Sequence, residues 1–119
     1  MRDVLILIID DDCDMHALLK FFFKKKGIMT FHATTLKEAK LRIGQVKPRY
    51  ILLDNQLPDG KGIDFIPFLK VKLPDSVIIA TTAYLPVESK KKAMINGADF
   101  FLEKPFSCDQ IKDLCIHVA

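Results

Sequence analysis

Three consecutive acids, Asp10-Asp11-Asp12, close an aliphatic run, Val4-Leu5-Ile6-Leu7-Ile8-Ile9. Carboxylates held this close repel, and each resists ionisation beside the others. A shared cation relieves that repulsion, and an all-oxygen set suits a hard ion such as Mg2+. The plainer reading is a solvated acidic turn that caps the next helix, since Asp is a favoured N-cap. The triplet alone leaves both readings open. Polar groups of complementary type follow other apolar runs: Asp54 after Tyr50-Ile51-Leu52-Leu53, Thr81 and Thr82 after Val77-Ile78-Ile79-Ala80, and Lys104 after Phe101-Leu102-Glu103. Carboxylates can hold a divalent cation, and a further carboxylate beside it can act as a nucleophile. A hydroxyl and an ammonium can neutralise the oxygens of a transferred group. Phosphoryl transfer needs this kind of electrostatic clamp and little else, and an aspartate nucleophile would give an acyl phosphate.

These residues can meet only if the fold brings the ends of the apolar runs together. Strands are expected at Val4–Ile9, Ile28–His32, Tyr50–Leu53, Val77–Thr81 and Phe100–Leu102. Helices are expected at Asp14–Lys26, Leu36–Gln45, Gly62–Lys72, Val87–Asn96 and Cys108–Val118. Five βα units in alternation call for a parallel sheet with helices on both faces. Turn chemistry agrees: Gly27 and Gly97 close helices, Pro58-Asp59-Gly60 turns, Thr34 or Thr35 caps the second helix with Glu38 in a capping box, and Ser107 caps the last. In an open sheet of this class, ligands sit beyond the carboxyl ends of the strands. Every strand except the second then delivers a polar group to that one rim. Singly, Asp54 is a turn cap, Lys104 a surface lysine and Thr82 a strand residue; convergence on one rim makes the plain reading hard to sustain.

Within the first helix, Met15, Leu18, Leu19, Phe22 and Lys26 form the stripe expected to face the sheet, with Phe21 off it. Phe21 then either serves a partner surface or packs under a loop.

The 119 residues suit one domain, and half of them are hydrophobic, enough for a core without staples. A net charge of +3 does not argue for nucleic-acid binding. Lys24-Lys25-Lys26 complements a helix C-terminus, and Lys90-Lys91-Lys92 reads as a solvated face. Cys13, Cys108 and Cys115 lack metal-type spacing and read as reduced thiols. No run of about 20 apolar residues is present to span a bilayer. The N-terminal apolar run leads into acids rather than a signal-peptide pattern, so a cytoplasmic location is expected.

The pieces Ile8-Ile9-Asp10-Asp11-Asp12, Leu52-Leu53-Asp54-Asn55-Gln56-Leu57-Pro58-Asp59-Gly60, Thr82-Ala83-Tyr84 and Gly97-Ala98-Asp99-Phe100-Phe101-Leu102-Glu103-Lys104-Pro105-Phe106 carry a specific pattern. In order and spacing the chain resembles the receiver domain of the two-component response regulators, over essentially residues 1–119. The resemblance implies a flavodoxin-like, doubly wound five-stranded parallel sheet in the order 2-1-3-4-5. It implies Asp54 as phospho-acceptor, with Asp10, Asp11, Asp54 and the backbone carbonyl of Gln56 as the Mg2+ site. Asp11 would touch the ion directly, and Asp10 largely through water. Thr82 would donate its hydroxyl to the phosphoryl group, and Lys104 would pair with it, so Asp54, Thr82 and Lys104 are the catalytic set. The Lys104-Pro105 bond would be cis. Thr82 and Phe101 would form the switch, with Phe where the family commonly has Tyr. Gln56 and Tyr84 hold the positions that tune dephosphorylation. Asp12 is left to start the next helix.

The implied partners are a histidine kinase or histidine phosphotransfer protein, and an output domain of the same full-length chain or a target protein. Phosphorylation would change the face formed by the fourth helix, fifth strand and fifth helix. The domain would be a monomer or a phosphorylation-dependent dimer, without direct nucleic-acid or membrane binding. It would catalyse only its own phosphorylation and dephosphorylation. A stop at His117-Val118-Ala119 with no tail is expected of a receiver cut from a longer regulator, and a stand-alone receiver is the other reading. An EF-hand loop at Asp10 fails, because Met15 and Phe21 stand where Gly and Glu are needed. A flavin domain would offer glycine amides after the first strand, not acids. The alternative retained is a small Mg2+-dependent phosphatase of the haloacid-dehalogenase type, with Asp10 as nucleophile, although Asp14 stands where that motif expects Thr or Val.

Overall fold

The structure is a computed structural model, and it describes residues 4–83 and 87–118. Numbering only the strands of the main sheet, the chain runs β1 (Val4–Ile9), α1 (Cys13–Lys24), β2 (Ile28–Ala33), α2 (Leu36–Gln45), β3 (Tyr50–Asp54), α3 (Gly62–Lys72), β4 (Val77–Thr82), α4 (Val87–Asn96), β5 (Phe100–Glu103) and α5 (Cys108–Val118). All four neighbouring pairs of the sheet are parallel, and the order is β2-β1-β3-β4-β5. The expected doubly wound α/β architecture is therefore present. Gln56–Leu57 and Gly60–Lys61 add a short antiparallel ribbon that the turn signal at Pro58-Asp59-Gly60 did not disclose.

The central strands carry apolar side chains on both faces, as a sheet covered by helices on each side requires. Leu7, Ile9, Ile51, Leu53, Ile78 and Ala80 pack against Ala39, Ile63, Ile66, Leu69 and Ala93 of α2, α3 and α4. Ile6, Ile8, Tyr50, Leu52 and Ile79 pack against Leu19, Phe23, Ile111 and Cys115 of α1 and α5. Burial drives the Cys115 thiol up to about 12, so it stays protonated as a core residue.

The stripe on α1 differs from the one read in the sequence. The buried residues are His16, Leu19 and Phe23, while Met15 and Phe22 are half-buried and Leu18 and Lys26 exposed. The spacing is still helical, but the stripe is rotated about one position. A histidine heads the observed stripe, and a pattern of apolar residues alone does not mark that position. Phe21 is 61% exposed, with the Lys25 ammonium 4.3 Å above its ring. The caps hold in large part. Asp12 accepts from the Met15 N–H and starts α1, and Ser107 and Gln110 form a reciprocal capping box on α5. Thr35 caps α2, while Glu38 reaches one residue further back, to the Thr34 N–H.

Candidate phosphoryl-acceptor site

The order β2-β1-β3 places a topological switch point between β1 and β3, because the chain winds outward in opposite directions from these two strands. Ile9 of β1 is in register with Leu53 of β3, so Asp10 and Asp54 emerge side by side. Both are buried, whereas Asp11 is exposed. Asp10, Asp11 and Asp54 each bring one carboxylate oxygen within 4.8 Å of the others. Hard oxygen donors converging in this way fit Mg2+. Lys104, just past β5, donates to Asp10 Oδ2 at 2.8 Å and lies 3.4 Å from Asp54 Oδ1. The Lys104-Pro105 peptide is cis.

Several hydrogen bonds fix this geometry. The Asp10 backbone N–H donates to Ala33, extending the β1–β2 ladder by one residue. Asp10 Oδ1 accepts from the Asp12 N–H at 2.9 Å. His16 Nε2 lies 2.5 Å from the Asp10 carbonyl oxygen, so that nitrogen carries the proton and the ring is fixed from α1. The loop after Asp54 is pinned at both ends. Asn55 donates its N–H to Thr81, accepts the Gly62 N–H on its carbonyl, and accepts the Ile63 N–H on its side chain. Lys61 makes no side-chain cap, so Asn55 caps α3 from seven residues upstream. Asp59 accepts from the Leu36 and Lys37 N–H groups with both oxygens and clamps the loop to the start of α2. Those two bonds hold its carboxyl below the usual range. Gly62 supplies the last constraint, because a Cβ there would lie 2.1 Å from the Asp54 carbonyl oxygen.

Of the residues singled out in the sequence, Asp10, Asp11, Asp54 and Lys104 converge. Thr82 ends β4, buried, and its carbonyl accepts the Lys104 N–H at 2.8 Å. Thr81 is the one in register with Asp54, and its buried hydroxyl has no hydrogen-bond partner. Phe101 is half-buried against the core under α3 and α4. Gln56 is exposed, and its backbone N–H bonds the Asp54 carboxylate. Tyr84 lies outside the described residues. His16, Asn55, Asp59 and Gly62 were not recognised as positioning residues. Of these, only the glycine directly before an apolar helical pattern left a sequence signal.

Burial first, and the Asp10 charge second, push the Asp54 carboxyl above its ordinary value of 3.8, while Lys104 and the Gln56 N–H oppose them. Burial pulls the Lys104 ammonium down, but its hydrogen bond to Asp10 and the charges of Asp10 and Asp54 outweigh that and leave it raised. A carboxyl raised on folding binds its proton better in the fold than in the unfolded chain. Stability is therefore full with the proton on, and falls as pH rises above about 3.8 and through the folded value. Asp54→Asn cannot ionise. It is expected to raise the urea midpoint at pH 7 and to flatten the decline. A lower midpoint at neutral pH would contradict the raised carboxyl.

The profile of the response regulator receiver domain matches residues 6–115. The chain belongs to the response regulator receiver family. Sporulation initiation phosphotransferase F of Bacillus subtilis is 32% identical over 113 residues, 95% of this chain and 91% of that protein. The KDP operon transcriptional regulatory protein KdpE of Escherichia coli is 34% identical over 108 residues, 90% of this chain but 47% of KdpE. The chain spans between 23% and 60% of the length of other curated relatives that it matches. The solution structure of the beryllofluoride-activated NtrC4 receiver domain dimer superposes with a TM-score of 0.88 at 36% identity, covering 95% of this chain and 93% of that one. This receiver is thus a phospho-accepting domain of two-component signalling. The family match gives no support to the haloacid-dehalogenase alternative. Among the described residues, no helix is long and apolar enough to cross a membrane.

Proposed function

We propose that residues 1–119 act as one cytoplasmic receiver domain in which Asp54 takes the phosphoryl group from a histidine kinase or a histidine phosphotransfer protein. The observation that carries this reading is the meeting of the buried Asp10 and Asp54 with the half-buried Lys104 at the sheet's switch point. Asp10, Asp11, Asp54 and the Gln56 carbonyl would hold Mg2+, which when bound shields the like charges opposing attack. The chain's own residues do the rest. Burial keeps Asp54 a basic carboxylate and therefore a better nucleophile than an exposed one. Lys104 stays charged and lies close enough to pair with oxygens gained at Asp54. Thr82, at the end of β4, turns its hydroxyl toward those oxygens. Phe101 follows, and the face of α4, β5 and α5 changes. The phosphorylated site must favour the switched arrangement for populations to move. That face then engages an output domain of a longer chain, a target protein, or a second copy in a phosphorylation-dependent dimer. The domain promotes its own phosphorylation and dephosphorylation and no free-substrate turnover.

Beryllofluoride with Mg2+ tests the switch. Backbone amide resonances are expected to shift at Asp54, Thr82, Phe101 and along α4, and to stay unmoved in Asp54→Asn. Shifts that remain near the acidic cluster and never reach Phe101 or α4 would sink the switch.

A further inference from the structure

Helix α3 contains a proline at its sixth position, Pro67. Proline has no N–H, so the carbonyl four residues earlier loses its helical partner. That carbonyl belongs to Ile63, and Asn96 at the end of α4 donates its side-chain amide to it at 2.9 Å. The same residue's N–H is held by the Asn55 side chain at 3.1 Å, one residue past Asp54. Ile63 is thus gripped on one side by the neighbour of Asp54 and on the other by α4.

Two more contacts secure this corner. One turn back along α4, Lys92 pairs with Asp64 at 2.8 Å. One residue beyond Asn96, Gly97 sits so close to α3 that a Cβ would lie 2.9 Å from the Lys70 stem. Asn96 and Lys92 thus tie the C-terminal half of α4 to the first turn of α3, and Gly97 lies against its last turn at Lys70. The start of α4, after the segment 84–86, carries no such tie among the described residues.

We propose that Asn96 is a positioning residue that latches the end of α4, through the proline-orphaned Ile63 carbonyl and Asn55, to the phosphoryl-acceptor loop. A shift of that loop reaches α4 by this route as well as through Thr82 and Phe101, and α4 pivots about its Asn96 end. The transmission rests on Asp54 being the acceptor; the latch itself does not.

Urea unfolding of the wild type, Asn96→Ala, Pro67→Ala and the double variant reads the latch without ligand. Pro67 is exposed, so its replacement leaves no core cavity. With Pro67 present, Asn96→Ala is expected to lower the folding equilibrium constant roughly tenfold, as stranding a shielded acceptor does. In the Pro67→Ala background, residue 67 supplies its own N–H, and the same change is expected to cost less than about threefold. Equal losses in both backgrounds would overturn the latch. Amide spectra with Mg2+ and beryllofluoride read the transmission. In Asn96→Ala, Thr82 and Phe101 are expected to respond as in the wild type, while the response from Met94 to Gly97 is lost. An unchanged response there would reduce Asn96 to a stabilising contact and overturn the proposal. A wild type silent to beryllofluoride would instead overturn Asp54 as acceptor and with it the transmission, and the unfolding cycle would still judge the latch.

Discussion

Gly62→Ala is expected to destabilise the domain by about 3 kcal/mol or more, beyond the usual cost of overpacking. The added methyl group would stand 2.1 Å from the Asp54 carbonyl oxygen and 3.0 Å from Leu53 Cγ. The closer obstacle is backbone, so no side-chain rotation relieves it. Either α3 lifts from Asn55, breaking the Gly62 and Ile63 hydrogen bonds, or the end of β3 moves. Both displace the acceptor. A loss of that size is a large share of the 5–15 kcal/mol that holds a domain folded. In urea the midpoint should fall by roughly 1–3 M, given slopes of 1–3 kcal/mol/M. Gly44→Ala is the control. Its new methyl group meets nothing within 4 Å in the exposed turn of α2, so the better helix former should add about 0.5–1 kcal/mol. Equal stability of the two variants would show that Gly62 is not a close-approach glycine.

Lys104→Met is expected to produce the second large effect. The substitution keeps most of the stem and removes the only ammonium bonded to the Asp10–Asp54 pair among the described residues. Two carboxylates, each no more than 5% exposed, then face each other without a counter-charge. Stranding a buried charge costs about 3–5 kcal/mol; with the Lys104 side chain 23% exposed, roughly 2–4 kcal/mol is the expectation here. The sign of the pH dependence follows. With Lys104 gone the pair takes up a proton more readily in the fold than in the unfolded chain, so the variant should recover stability as pH falls from 7 toward 5. Mg2+ should also recover it at neutral pH, since a bound cation replaces the missing charge. Urea midpoints at two pH values, with and without Mg2+, measure all of this. A variant as stable as the wild type at pH 7 and indifferent to Mg2+ would contradict the shared acidic site.

Much of this was legible in the chain itself. Period and punctuation placed all five βα units, because buried parallel strands are unbroken aliphatic runs and the turns between them use Gly, Pro and Asp. The acidic triplet, Asp54 and Lys104 were legible because each directly follows such a run. Strand order was not legible from pattern and came only from resemblance to the family. What stayed hidden acts through the backbone. Asn55 reads as an ordinary turn residue, yet it caps a helix seven residues away. Asp59 reads as part of a turn, yet its carboxylate caps a helix that precedes it by more than twenty residues. His16 falls outside any apolar pattern, yet it heads the buried face of α1, its ring on the Asp10 carbonyl. The two threonines show the same limit. Sequence favours Thr82, while the register sets Thr81 beside Asp54.

The central claim is that Asp54 takes a phosphoryl group with the help of Asp10, Asp11 and Lys104. The direct measurement is incubation with Mg2+ and acetyl phosphate, followed by location of the acid-labile phosphate by peptide mapping. Label on Asp54, dependent on Mg2+ and abolished by Asp54→Asn, is the result expected. Label on Asp10, or no label with an active phosphodonor and Mg2+ present, would contradict it.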